Sequence, residues 1–181
     1  MRYLQSLIIF LALPLLSQAQ DEKEWGIPYN QEKESIIYEA VIDVAGASKA
    51  ELYERAIAWI NTYYTAGANK ITTKSKEEGI LELKDRLMFY KMHKKSKVTD
   101  VIIDYNLTIW FKDGRFKYQI TNFRAFQGST SPHIEQWMQA RYSDPDIAME
   151  RFSKLNIEIE KLVENMTSNL SNNKQKDDDD W

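Results

Sequence analysis

Residues 101–123 read VIIDYNLTIWFKDGRFKYQITNF, and every odd position from Val101 to Phe111 is apolar, with Asp104, Asn106 and Thr108 falling between. A period of two is the signature of a strand with one face buried. Asp113-Gly114 then supplies a two-residue hairpin turn, so Arg115 to Phe126 is expected to return as the partner strand. Such a turn pairs Lys112 with Arg115 and fixes every pair beyond it. Phe111 faces Phe116, Ile109 faces Tyr118 and Leu107 faces Ile120, all six on the apolar face, so pattern and turn agree. The opposite face carries Trp110 across from Lys117, Thr108 across from Gln119, and Asn106 across from Thr121: polar, with one large indole.

Upstream, Ile36, Tyr38, Ala40, Ile42 and Val44 alternate with Glu39 and Asp43, which predicts a half-buried strand. Gly46 breaks it, and Ser48 with Glu51 forms a capping box, whose hydroxyl and carboxylate satisfy free N–H groups at a helix start. The helix is expected to run to about Thr65, with Leu52, Ala56, Trp59, Ile60 and Tyr63 on one face and Gly67 as its terminating glycine; Trp59 reads as core. Lys70 to Ser75 and Ile80 to Phe89 read as two strands joined by Lys76-Glu77-Glu78-Gly79. Lys91, Lys94, Lys95 and Lys97 fall in the loop that follows, a solvated hairpin loop or a surface for anionic lipid or an acidic partner.

Downstream of Phe126, QGSTSP is a loop whose Ser131-Pro132 is expected to cap a short helix containing Ile134, Trp137 and Met138. Asp144-Pro145 starts a longer one, with Ala148, Phe152, Leu155, Ile159, Leu162 and Met166 at alternating steps of four and three. That stripe suits a helix packed on the sheet, with a coiled-coil partner as the alternative. The order β-α-β-β-β-β-α predicts an α+β fold: a mostly antiparallel sheet with helices on one face, a C-terminal helix, and the other face open.

The ends differ from the middle. Arg2, the apolar stretch Leu7 to Leu16 and Ser17-Gln18-Ala19 have the form of a secretory signal, so cleavage is expected after Ala19; Pro14 interrupts a run already short for a membrane anchor. The resulting division is 1–19 signal peptide, 20–35 extended segment, 36–126 α+β domain, 127–171 loop and C-terminal helices, and 172–181 a disordered acidic tail, NKQKDDDDW after Asn172. Loss of residues 1–19 removes Arg2 and no acid, leaving 23 basic residues against 27 acidic, a net −4. An acidic exported chain argues against nucleic acid. With no cysteine among 181 residues, a disulfide framework, a Cys-ligated metal, a thiol nucleophile and a cysteine-attached lipid are all excluded.

Several stretches together carry a resemblance. Gly46-Ala47-Ser48-Lys49-Ala50-Glu51-Leu52-Tyr53, Arg55-Ala56-Ile57-Ala58-Trp59-Ile60, Glu78-Gly79-Ile80, and Lys112-Asp113-Gly114-Arg115-Phe116-Lys117-Tyr118 leading to Thr121-Asn122-Phe123 stand in one order. From Ile36 to Phe126 the chain resembles an exported family of Bacteroidota, domain of unknown function 4468, with TBP-like fold. The resemblance implies that fold and a periplasmic or cell-surface setting. It implies no activity, cofactor or catalytic residue.

The residues themselves add no catalytic constellation. His93 and His133 stand forty positions apart without a second ligand-type residue at useful spacing, and neither a G-x-S-x-G elbow nor a phosphate-binding glycine loop occurs. Asp100 and Asp104 are expected on the same outward face of one strand, where no cleft would hold them for acid-base work. The candidate binding surface is Trp110 with Lys117, flanked by Thr108 and Gln119, because a large indole on an open polar face has no core role. The expected function is therefore a non-catalytic, exported module, in the periplasm or secreted, without a membrane span once its signal is removed. It would bind a protein or envelope ligand through the open sheet face. A small-ligand or glycan binder is the alternative, a hydrolase a further one, and a structural subunit using the Ala148–Met166 stripe another.

Overall fold

The computed structural model describes residues 25–126 and 129–172. The expected signal peptide and cleavage site, the tail beyond Asn172, and Gln127-Gly128 of the loop lie outside these residues. The elements are β1 (Tyr29–Asn30), β2 (Ser35–Ile36), β3 (Tyr38–Asp43), α1 (Lys49–Tyr63), β4 (Ile71–Ser75), β5 (Ile80–His93), β6 (Ser96–Lys112), β7 (Arg115–Phe126) and α2 (Pro145–Ser171), with 3-10 turns at Gly67–Lys70 and Ile134–Met138. β1 and β2 form a small antiparallel hairpin. The other five strands make one antiparallel sheet in the order β3-β7-β6-β5-β4.

The hairpin register is the one its turn dictates: Lys112 pairs with Arg115, Phe111 with Phe116, Ile109 with Tyr118, Leu107 with Ile120 and Asn106 with Thr121. Val101, Ile103, Tyr105, Leu107, Ile109 and Phe111 are all buried. Both helices lie on that face. Ser48 caps α1 through the Glu51 N–H, and the Glu51 carboxylate accepts from the Ser48 N–H at 2.8 Å. Asp144 caps α2, with Pro145 in its first turn. The α2 stripe Ala148, Phe152, Leu155, Ile159, Leu162 and Met166 is buried within the chain, as is Leu170, so none of it is left for a coiled-coil partner. Trp59 is core as expected, and its indole N–H donates to Asn165 Oδ1 at 2.9 Å, joining α1 to α2.

Five local expectations are corrected. Ile36 does not begin the sheet strand; it pairs with Tyr29, and its N–H donates to Glu135 Oε1 at 2.9 Å. Gly67 is not the left-handed residue after α1; Ala66 is, at φ 55°, and Gly67 is required for another reason, since a Cβ there would stand 2.2 Å from the Ile60 carbonyl oxygen. Ser131-Pro132 does not cap a helix. His133 precedes the 3-10 turn, and the Pro132 and Ser131 carbonyls accept from Ala125 N–H and Arg124 Nε instead, covering the end of β7 that β3 does not reach.

The remaining two concern β6. It begins at Ser96, so Lys91, Lys94, Lys95 and Lys97 sit on the end of a long two-stranded ribbon, Lys91 within β5 and Lys97 within β6. Asp100 and Asp104 are not on one face. Phe89 pairs with Val101 but Tyr90 with Thr99, so Asp100 is an extra residue, a bulge that turns its side chain to the helix layer. A second bulge sets Asn122 and Phe123 opposite Tyr105; Asn122 takes the left-handed conformation at φ 57°, which asparagine tolerates better than most residues. It reverses the parity of β7, so that Phe123 and Ala125 are buried where the earlier alternation would leave them outside.

Candidate functional site

The face of the sheet away from the helices is built from cross-strand rows, since antiparallel partners project to the same side. From the β6–β7 turn inward, the rows are Ile80–Trp110–Lys117–Val41, then Glu82–Thr108–Gln119–Glu39, then Lys84–Asn106–Thr121, then Arg86–Asp104–Arg124, and last Met88–Ile102–Phe126. Trp110 and Val41 on one side and the row Met88–Ile102–Phe126 on the other thus flank a polar centre, with Lys112, Arg115 and Asp43 outermost at the turn. The four residues read from the sequence as a binding surface, Trp110, Lys117, Thr108 and Gln119, occupy two adjacent rows and form one patch.

Lys117 is held between two partners. Its ammonium lies 5.8 Å from the centre of the Trp110 ring and 2.8 Å from Glu39 Oε2, which also accepts from Gln119 Nε2 at 3.0 Å. Those bonds, Lys117's first, hold the Glu39 carboxyl below its ordinary value. Trp110, Val41, Lys112, Arg115 and Lys117 line a shallow depression of about 420 Å³. Val41 is 55% exposed, an apolar floor beside a half-buried indole. Glu39, Val41, Lys112 and Arg115 are additions to the sequence reading. The first two were hidden because nothing local says which strand β3 joins.

A second depression, about 390 Å³, lies at the Asn122 bulge between Lys84, Arg86, Asp104, Asn106 and Arg124. Arg86 Nε stands 3.2 Å from Asp104 Oδ1, and Arg124 donates to the Ser131 carbonyl at 2.9 Å and to His133 Nε2 at 3.0 Å. His133 Nδ1 lies 3.9 Å from Glu135 Oε2. Across the whole open face, Lys84, Arg86, Lys112, Arg115, Lys117 and Arg124 oppose Glu39, Asp43, Glu82 and Asp104, six cations to four anions, or +2. The complete chain carries −3. Positive charge is therefore gathered on the open face of an acidic protein.

The four lysines of the ribbon are a separate feature. Lys91 Nζ is 3.0 Å from Asp100 Oδ1, Lys97 lies over the Tyr90 ring at 4.2 Å, Lys94 adopts φ 56° in the turn, and Lys95 is exposed beside it. Lys97 and Trp110 stand thirteen positions apart along β6, about 43 Å at the rise of a strand, so basic tip and indole do not form one site. His93 is exposed near the tip. Among the described residues, no three His, Asp or Glu side chains converge as metal ligands, and no helix is long and apolar enough to cross a membrane.

Residues 38–126 match the family model described as "Domain of unknown function (DUF4468) with TBP-like fold". A TBP-like protein from Parabacteroides distasonis, solved by crystallography, is similar at TM-score 0.59 and 16% identity, over 76% of this chain and 94% of that one. A DUF4468 family protein from Bacteroides ovatus is similar at TM-score 0.64 and 11% identity, over 87% and 99%. At these identities the likeness is one of fold. No curated protein matches.

Proposed function

Through residues 38–126 the chain belongs to the DUF4468 family with TBP-like fold, and from that premise we propose that it is a non-catalytic, exported interaction module that binds a protein or envelope ligand through its open sheet face. The observation that carries the reading is the Trp110 patch: an indole and an exposed Val41 beside Lys112, Arg115 and Lys117, on a face that no described element covers. An uncovered apolar surface rimmed by charge is what a recognition site offers. The excess of +2 suits an acidic or neutral partner. It is small for a nucleic-acid backbone, where binding draws on about six to ten phosphate contacts. The expected setting is the periplasm or the cell exterior.

A small-ligand or glycan binder is the second reading, favoured by the depression beside Trp110, whose 420 Å³ falls within the usual size of ligand sites. Crosslinking capture from envelope extract, with wild type beside Trp110→Ala, tests the first reading. One partner held by wild type and lost by the variant supports the open face as the site. Capture that the variant leaves unchanged moves the site elsewhere. Absence of any captured protein, with saturable thermal stabilisation by an envelope glycan, supports the second reading.

A further inference from the structure

β4 pairs with β5 only over Ile80–Leu83, which leaves β5 from Lys84 to His93 as an edge with β6 on one side and no described strand on the other. The direction of its free groups follows from the ladder. Phe111 N–H donates to the Gly79 carbonyl, so odd residues of β5 turn their backbone groups to β6, and Lys84, Arg86 and Met88 turn theirs outward. Met88, Tyr90 and Met92 along this edge are 53%, 41% and 67% exposed, and Ile157 of α2 beside it is 46% exposed. Leu87, Met88, Phe89, Tyr90, Lys154 and Ile157 border a depression of about 520 Å³ between edge and helix. A long unpaired edge with an apolar centre, here Leu87 to Tyr90, is a template for another strand.

We propose that the strand it takes is β5 of a second copy of this chain, antiparallel across a two-fold axis at Met88, so that two five-stranded sheets become one of ten. This goes beyond the open-face reading and does not depend on it. The choice of occupant rests on self-complementarity, which a two-fold interface requires. With Met88 opposite its own copy, Leu87 faces Phe89 and Arg86 faces the Tyr90 ring, each pair occurring twice, while Asp85 and Lys91 face each other with their charges already met inside each chain by Lys70 and Asp100. No like charges meet. A two-fold at Lys84 or Arg86 would set lysine on lysine or arginine on arginine. Edge pairing of this extent belongs with small interfaces, below about 1,200 Å², so the dimer is weak and concentration-dependent.

The absence of cysteine makes the geometry testable. Facing residues of a hydrogen-bonded antiparallel pair lie about 5.5 Å apart at Cα, within reach of a disulfide. Oxidised Met88→Cys is expected to run as a covalent dimer. Lys84→Cys and Met92→Cys are each expected to stay single alone and to join when mixed. Sedimentation equilibrium of the unmodified chain is expected to show the mass rising from one chain to two between micromolar and millimolar concentration, and Met88→Lys, with an unchanged circular dichroism spectrum, to remain at one. A one-chain mass throughout, with Met88→Cys remaining reduced, overturns the proposal. So does a Met88→Cys dimer without the mixed Lys84→Cys/Met92→Cys product, which would exclude this register, and so does a monomer whose edge instead takes an unrelated extended peptide.

Discussion

Arg151 of α2 grips Asp100 of β6 with two parallel hydrogen bonds, Nε to Oδ2 at 3.0 Å and a terminal nitrogen to Oδ1 at 3.1 Å. Lys91 reaches the same carboxylate at 3.0 Å, and the Arg151 guanidinium lies over the Trp137 ring at 5.1 Å. One bulged residue thereby ties the ribbon, the long helix and the 3-10 turn together. The arrangement depends on the extra residue, for without it Asp100 would face the open side.

Arg151, followed by Lys91, holds the Asp100 carboxyl down at about 2. A carboxyl depressed on folding contributes stability above its unfolded value, near 3.9, and loses it as pH falls toward the folded value. Asp100→Asn is expected to cost about 2 kcal/mol at pH 7, because it removes charge-assisted bonds and leaves Arg151 partly buried without its counter-charge. Urea midpoints at pH 7 and pH 3 check this: the difference between variant and wild type should shrink at the lower pH. An equal difference at both would refute the role.

At the end of α1, two neighbours invite opposite substitutions. Gly67→Ala places a methyl against the Ile60 carbonyl and Asn61 Cα, backbone atoms that cannot swing aside, and is expected to cost about 2–3 kcal/mol. Ala66→Gly relieves a left-handed alanine and is expected to stabilise by about 0.5–1 kcal/mol. Thermal midpoints should move in opposite directions; movement of both the same way would contradict the geometry.

Tyr64 and Tyr105 share a hydrogen bond in the core, with their oxygens 3.3 Å apart. Burial, its effect the largest in each, pushes both phenols well above their ordinary value. The folded state therefore keeps them protonated, and stability should fall as pH rises past about 10, where unfolded tyrosine ionises. Tyrosinate absorbance is expected to appear in two stages, surface phenols first and these two only as the chain unfolds. Tyr105→Phe leaves the Tyr64 hydroxyl without that partner, at a cost of about 1 kcal/mol.

Trp110 separates recognition from stability. It lies half-buried outside the core, beside the Lys117 ammonium, so Trp110→Ala is expected to cost about 1 kcal/mol or less while abolishing partner capture. Chemical denaturation and capture measured on the same preparation check the pair of outcomes. A large loss of stability would make the indole a structural residue.

The sheet was legible where local rules suffice. A two-residue turn at Asp113-Gly114 sets the register of seven residues on either side, out to Asn106 and Thr121, and the capping residues Ser48 and Asp144 start helices where they stand. Bulges obey no such rule: the alternation from Val101 onward continues without a break past Asp100, and only the three-residue step from Ile120 to Phe123, with Asn122 inside it, signals the second. The Trp110–Lys117 pair followed from the turn, whereas Glu39 and Val41 entered through β3, some eighty positions away in sequence. The open edge of β5 was equally hidden, because it depends on how soon β4 ends.

That distant pairing has a consequence for synthesis. β4 to β7 join neighbours in sequence, but β3 waits for β7, and Tyr38 finds its partner only when Ile120 has been made. At the usual pace of translation, about 5–20 residues per second, the first sheet strand spends roughly 4–16 seconds without its place in the fold.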